Sequence, residues 1–103
     1  MDGVRVLSPE SIERARTEQA NGPDAVLFGW PTRFGLGFSL PPKGTGVGLS
    51  SAAAFGSFGA GGSMAFADPD AHVGFGYTMN QMHAGMPPDP RALRLIDALY
   101  ASL

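Results

Sequence analysis

The sequence predicts an α+β fold, an antiparallel sheet with an N-terminal and a C-terminal helix, both on one side of it. Three observations carry this expectation. Two segments open with helix-start chemistry, Ser8-Pro9 and Asp89-Pro90. Two segments alternate bulky and bare residues with the period of a strand, Phe34/Leu36/Phe38/Leu40 and Val73/Phe75/Tyr77/Met79. Glycine- and proline-rich connections separate them.

Taken in order, Ser8 is suited to cap the first helix and Pro9 to its first position. Leu7 and Ile12 stand where a hydrophobic staple joins the entering chain to the helix. Arg14 and Arg16 fall on the wet face, and Asn21-Gly22-Pro23 supplies the stop. Residues 25–40 read as strand: an apolar run Ala25–Phe28, a break at Trp30-Pro31-Thr32, then the alternation from Phe34 to Leu40. The bare glycine face leaves room for another element to approach the backbone. Residues 41–53 read as loop. Short strands follow at 54–58 and 63–67, separated by the turn Gly59-Ala60-Gly61-Gly62. Asp68-Pro69-Asp70 reads as a turn into the second alternating strand. The last helix starts at Asp89-Pro90 and carries one apolar stripe: Leu93, Ile96, Leu99, Tyr100 and Leu103.

Composition bounds the function. The 103 residues suffice for one small domain. Charged residues make up 16%, against the roughly one quarter usual for a soluble domain. That deficit points to a piece of something larger, whose missing partner covers apolar surface. A net charge of -2 gives no field to draw nucleic acid or an anionic membrane. The absence of cysteine excludes thiol catalysis and Cys-based zinc sites. No apolar run approaches the roughly 20 residues of a membrane-spanning helix. The N-terminus lacks a basic-then-apolar signal pattern, which gives a cytoplasmic expectation. Six arginines against the single Lys43, with abundant Ala, Gly and Pro, fit a GC-rich bacterial source.

Most candidate motifs reduce to structure. Gly44-Thr45-Gly46-Val47-Gly48 lacks the strand-to-helix context of a phosphate loop. His72 and His83 have neither the spacing nor the partners of a metal site. Asp68 and Asp70 are better turn formers than paired catalytic acids. Met79, Met82 and Met86 suit core filling. No metal and no cofactor are expected.

One segment carries more. Phe55-Gly56-Ser57-Phe58-Gly59-Ala60-Gly61-Gly62-Ser63 leads into a strand, the Asp68-Pro69-Asp70 turn, and Val73-Gly74-Phe75-Gly76-Tyr77-Thr78-Met79-Asn80. This ordered set resembles the C-terminal signature of the β-lactamase-related serine hydrolases, the penicillin-binding, class C β-lactamase and esterase group. Leu7-Ser8-Pro9-Glu10, Arg33-Phe34-Gly35-Leu36-Gly37-Phe38 and Asp89-Pro90-Arg91-Ala92-Leu93 extend the resemblance over nearly the whole chain.

The resemblance implies part of the antiparallel sheet of a β-lactamase/transpeptidase-like fold, with residues 1–103 as one partial domain. It implies acyl transfer by a serine in S-x-x-K, with a tyrosine in the proton relay. Neither motif is present. No serine has a lysine three residues later, and Tyr77 and Asn80 belong to the alternating strand. The family's third motif falls on Ser57-Phe58-Gly59, with Ser57 in place of a basic or imidazole residue. By resemblance these three line the substrate site, and the Ala60 backbone N–H serves the oxyanion hole. The complete protein is then expected to take a small-molecule ester, amide or β-lactam. This chain alone is expected to lack activity, and to self-associate or need a complementing N-terminal fragment. Rival readings are a non-catalytic binding or assembly module, with the bulky strand faces as contact surface, and a truncated reading frame without function.

Overall fold

A computed structural model of the chain describes residues 3–42 and 51–103. The glycine-rich stretch 44–48, and with it most of the expected loop, lies outside the described residues. The chain divides into two compact units, Met1–Leu40 and Pro41–Leu103.

In the first unit, helix α1 spans Pro9–Arg16. It starts as expected: the Ser8 hydroxyl accepts from the Ser11 N–H at 3.1 Å, with Pro9 in the first turn. It stops sooner than expected. Thr17 is extended and its hydroxyl donates back to the Glu13 carbonyl at 2.8 Å, ending the helix before Asn21-Gly22-Pro23. Those residues lie instead in strand β1 (Ala20–Asp24), antiparallel to β2 (Trp30–Phe34). Pro23 and Pro31 face each other in this register. Two prolines can do so at a pair from which the ladder needs no N–H.

The expected strand over 25–40 is therefore corrected to two reversals. The apolar run 25–28 is a turn, not a strand. The Asp24 carboxylate accepts from the N–H groups of Val26 (2.8 Å) and Leu27 (3.1 Å), and the Asp24 carbonyl from Gly29 (2.8 Å). Phe28 and Gly29 both take positive φ, 56° and 81°. The local hydrogen bonds of one aspartate outweigh the strand propensity of Val26 and Phe28. The alternation from Phe34 to Leu40 breaks at a second tight turn. Gly35 N–H bonds the Phe38 carbonyl at 2.9 Å, Phe34 bridges Ser39, and Gly37 adopts φ 79°. The bare position does receive a neighbour: a Cβ on Gly35 would stand 2.3 Å from the Ala15 carbonyl oxygen. The Leu36 N–H donates to that same oxygen at 2.8 Å.

In the second unit, strands β3 (Phe55–Phe58), β4 (Met64–Asp68) and β5 (Val73–Tyr77) form an antiparallel sheet in the order β3-β4-β5. Helix α2 spans Pro90–Ala101 and is capped by Asp89, whose side chain accepts from the Arg91 N–H. The register sets Gly56, Phe66 and Phe75 in one row, and Phe58, Met64 and Tyr77 in another. This bulky face packs against α2. Ala54, Met64, Phe66, Ala92 and Ile96 form the buried cluster, with Phe75, Tyr77, Leu93 and Tyr100 partly buried around it. Burying a side chain such as Ile96 contributes about 1.5–3 kcal/mol. The bulky face of β5 is thus covered by α2. The opposite face is small except for Phe55: Ser57, Ala65 and Gly76 in one row, Phe55, Ala67 and Gly74 in the next. A Cβ added at Gly74 or Gly76 would meet nothing within 4 Å.

The core also holds a charge. Asp68 is buried, and its carboxylate accepts from Tyr100 Oη (2.5 Å), Ser51 Oγ (2.8 Å) and the N–H groups of Asp70 (3.0 Å) and Ala71 (3.2 Å). Burial pushes this carboxyl up, but the bonds from Tyr100, Ser51 and the two amides outweigh it and hold it below the ordinary value. The expected turn is there, with the added task of tying the end of α2 to the β4–β5 connection. Two expectations for apolar residues fail. Met82 and Met86 are exposed and fill no core, and Leu103 lies outside the buried part of the α2 stripe. Among the described residues no helix is long and apolar enough to cross a membrane.

Candidate functional site

The site residues expected from the sequence gather at the end of β3. Strand alternation sends Ser57 and Phe58 to opposite faces. Ser57 stands opposite Ala65 on the small-residue face and is exposed. Phe58 stands opposite Met64 and packs against the buried cluster. Only the Phe58 backbone is therefore available on the Ser57 side. β3 pairs with β4.

The chain then turns sharply. The Gly59 N–H donates to the Ser63 carbonyl at 2.7 Å and the Gly62 N–H to the Gly59 carbonyl at 3.1 Å. A Cβ at Gly59 would sit 2.2 Å from Ser63 Oγ and 3.5 Å from Ser63 Cβ, so a side chain there requires the Ser63 hydroxyl to rotate away. Gly61 and Gly62 have φ of 84° and 107°, a region that strains any residue with a Cβ. Ala60 stands exposed at the turn, while Gly61 and Gly62 are buried behind it. Among the described residues no backbone carbonyl accepts from the Ala60 N–H.

The buried side of this turn rests on residues the sequence did not single out for function. The His83 N–H donates to the Gly61 carbonyl at 2.8 Å. The Asp89 side chain, fully buried, lies against Gly62. Arg91 binds that carboxylate from Nη2 at 2.7 Å and from Nε at 3.0 and 3.1 Å, and reaches the Gln81 carbonyl at 2.9 Å. The Arg91 hydrogen bonds, set against the opposing effect of burial, hold the Asp89 carboxyl below its ordinary value. The Arg91 guanidinium is raised in turn by the bonds to Asp89. Asp89 was legible in the sequence as a helix cap. Its role against Gly62 depends on a contact across 27 positions that no local pattern encodes. Of the two histidines, His72 lies exposed in the β4–β5 turn and His83 is half-buried near Asp89. Among the described residues no three His, Cys, Asp or Glu side chains form a metal-binding group.

A sharp glycine turn thus ends β3, with Ser57 before it and the exposed Ala60 on it. The β-lactamase family model matches residues 1–99. The chain belongs to the β-lactamase family. Two solved structures agree with this β-lactamase-family assignment. A family VIII carboxylesterase is 39% identical with a TM-score of 0.86, over 98% of this chain and 27% of its own. A penicillin-binding protein homologue from Caulobacter crescentus is 38% identical with a TM-score of 0.85, over 100% of this chain and 27% of its own. Among curated proteins none matches. The two units described here thus form part of a β-lactamase/transpeptidase-like fold, and the chain spans about a quarter of the length of these two structures.

Proposed function

We propose that this chain supplies the oxyanion side of a serine hydrolase acting on small esters, amides or β-lactams. The nucleophile and its base come from polypeptide outside these 103 residues. The single observation that carries the reading is the β3 end: an exposed Ser57, the sharp turn at Gly59–Gly62, and an exposed Ala60 whose N–H has no backbone acceptor among the described residues. A weak hydroxyl nucleophile needs an adjacent base, and no serine here has a lysine three residues on. What the chain can provide is preorganised polarity. When a serine attacks a carbonyl carbon, the carbonyl oxygen gains charge, and a fixed N–H aimed at it stabilises that charge more than it stabilises the ground state. A backbone donor on a rigid turn needs no reorganisation during the reaction.

Ser57 presents a hydroxyl where the family presents a basic or imidazole group. It offers a neutral hydrogen bond to substrate and no positive charge, which favours neutral esters over substrates anchored by a carboxylate. The carboxylesterase among the solved relatives supports this preference.

The test uses the polypeptide that joins this chain to an S-x-x-K half, assayed with a short nitrophenyl ester and a chromogenic β-lactam. Ala60→Pro removes the proposed donor. Turnover is expected to fall on the order of 10²–10³, the usual loss for one oxyanion donor. A folded Ala60→Pro protein with full activity would overturn the assignment.

A further inference from the structure

The buttress behind the β3–β4 turn has a consequence for the chemistry in front of it. We propose that Asp89 is a positioning residue for the Ala60 N–H, acting through Gly62, with Arg91 locking its carboxylate in place. The inference rests on the proposed role of Ala60.

The contact with Gly62 leaves no slack. A Cβ on Gly62 would stand 2.6 Å from Asp89 Oδ2 and 2.7 Å from Asp89 Cβ, so the glycine backbone lies directly on the side chain. On the neighbouring residue the exposed Met82 side chain lies over Gly61, its Cγ 2.8 Å from where a Cβ would be. The holding groups are themselves connected. Arg91 bonds both the Asp89 carboxylate and the Gln81 carbonyl, and two residues further on the His83 N–H bonds the Gly61 carbonyl. Backbone from 81 to 83, the Asp89 side chain and the turn at 61–62 form one closed ring of contacts. The Gly62 N–H bonds the Gly59 carbonyl at 3.1 Å, and that carbonyl shares a peptide plane with the Ala60 N–H, so the ring reaches the donor through this bond.

Capping α2 does not explain the arrangement. The cap requires one oxygen to accept from the Arg91 N–H, which it does at 2.8 Å. Asparagine would do this equally well. The forked contact from Arg91 to both oxygens requires a carboxylate. Asp89→Asn therefore keeps the cap, the size and the contact with Gly62, and removes the ionic lock. Arg91→Lys keeps the cation and loses the planar fork.

Two measurements test the proposal. The first is hydrogen exchange on the full chain. In Asp89→Asn the protection of the His83 amide, which bonds Gly61, is expected to fall about tenfold or more, corresponding to at least ~1.4 kcal/mol of opening free energy. The interior amides of α2 are expected to keep theirs. Unchanged His83 protection in both Asp89→Asn and Arg91→Lys would overturn the proposal and leave the Ala60 assignment standing. The second is turnover per active site in the polypeptide carrying the S-x-x-K half, with sites counted by a serine-acylating reagent. A misplaced donor lowers kcat by up to about 10²-fold with KM little changed. A merely structural role would lower the number of titratable sites and leave turnover per site intact, which also overturns the proposal. Should Asp89→Asn not fold, Arg91→Lys decides by the same readouts. Failure of Ala60→Pro to affect activity would strike the oxyanion reading itself, and is separable because the exchange result does not depend on it.

Discussion

Tyr100→Phe isolates one hydrogen bond in the core. The Tyr100 ring stacks on Phe66 at 6.5 Å between centroids and 10° between planes, and phenylalanine preserves that packing. What is lost is the 2.5 Å bond from Oη to the buried Asp68 carboxylate. A hydrogen bond to a charged group contributes about 1.5–3 kcal/mol. Asp68 keeps Ser51 and two backbone N–H donors, so the charge is not orphaned and the loss is expected near the middle of that range. A loss of about 2 kcal/mol lowers the melting temperature by roughly 8–16 °C for a domain of this size. The pH dependence follows from the direction of the Asp68 shift. Its carboxyl is held below the ordinary value when folded, so its contribution is complete above the unfolded value of about 4. That contribution disappears as pH falls through the lower folded value. Below both, the bond joins two neutral groups and contributes about 0.5–1.5 kcal/mol. The gap between wild type and Tyr100→Phe is therefore expected to narrow on acidification. Urea titrations at pH 7 and at a series of progressively lower pH values, at several protein concentrations, measure it. A gap that is absent at pH 7, or that does not narrow as the pH falls, refutes the reasoning.

The chain by itself is expected not to turn over a chromogenic β-lactam or a nitrophenyl ester; turnover abolished by a serine-acylating reagent would contradict this. It is expected to self-associate, through the exposed hairpin tip at Val26 and Phe28 (82% and 94% accessible) and through strand edges left unpaired. Size-exclusion chromatography at several concentrations tests this, and a clean monomer with a concentration-independent melt would favour a self-sufficient binding module. Two glycines of the second unit are expected to differ sharply. Gly76→Ala should be tolerated, because nothing lies within 4 Å of the new Cβ. Gly56→Ala should destabilise, because its Cβ would stand 2.2 Å from the Ala65 carbonyl oxygen. Equal melting temperatures for the two variants would refute the packing argument.

How far the sequence could be read depended on the range of the forces involved. Helix starts at Ser8 and Asp89 were legible because capping is settled within three residues. The strand Val73–Tyr77 was legible because its alternation coincides with a face packed against α2, and the two before it because turns bound them. The turn at Gly59–Gly62 was legible from its glycines, and so was the likeness to a hydrolase family. The first unit was misread for a reason of the same kind. Alternation from Phe34 to Leu40 records which positions are bulky, and does not record that the chain reverses at Gly37. The apolar run at 25–28 looked like a strand because the hydrogen bonds from Asp24 that make it a turn leave no trace in hydrophobicity.

The sequence by itself determined the starts of the two helices, the three strands of the second unit, the family, and the absence of a Ser–Lys pair. Only the tertiary structure decided where the strands turn, that α2 covers the bulky face of β5, and that Asp68 and Asp89 are buried. Each of those depends on partners far along the chain: Tyr100 lies 32 residues from Asp68, and Gly62 lies 27 before Asp89. A carboxylate at a turn or a cap looks the same in sequence whether water or a folded neighbour receives it, and packing alone makes the difference.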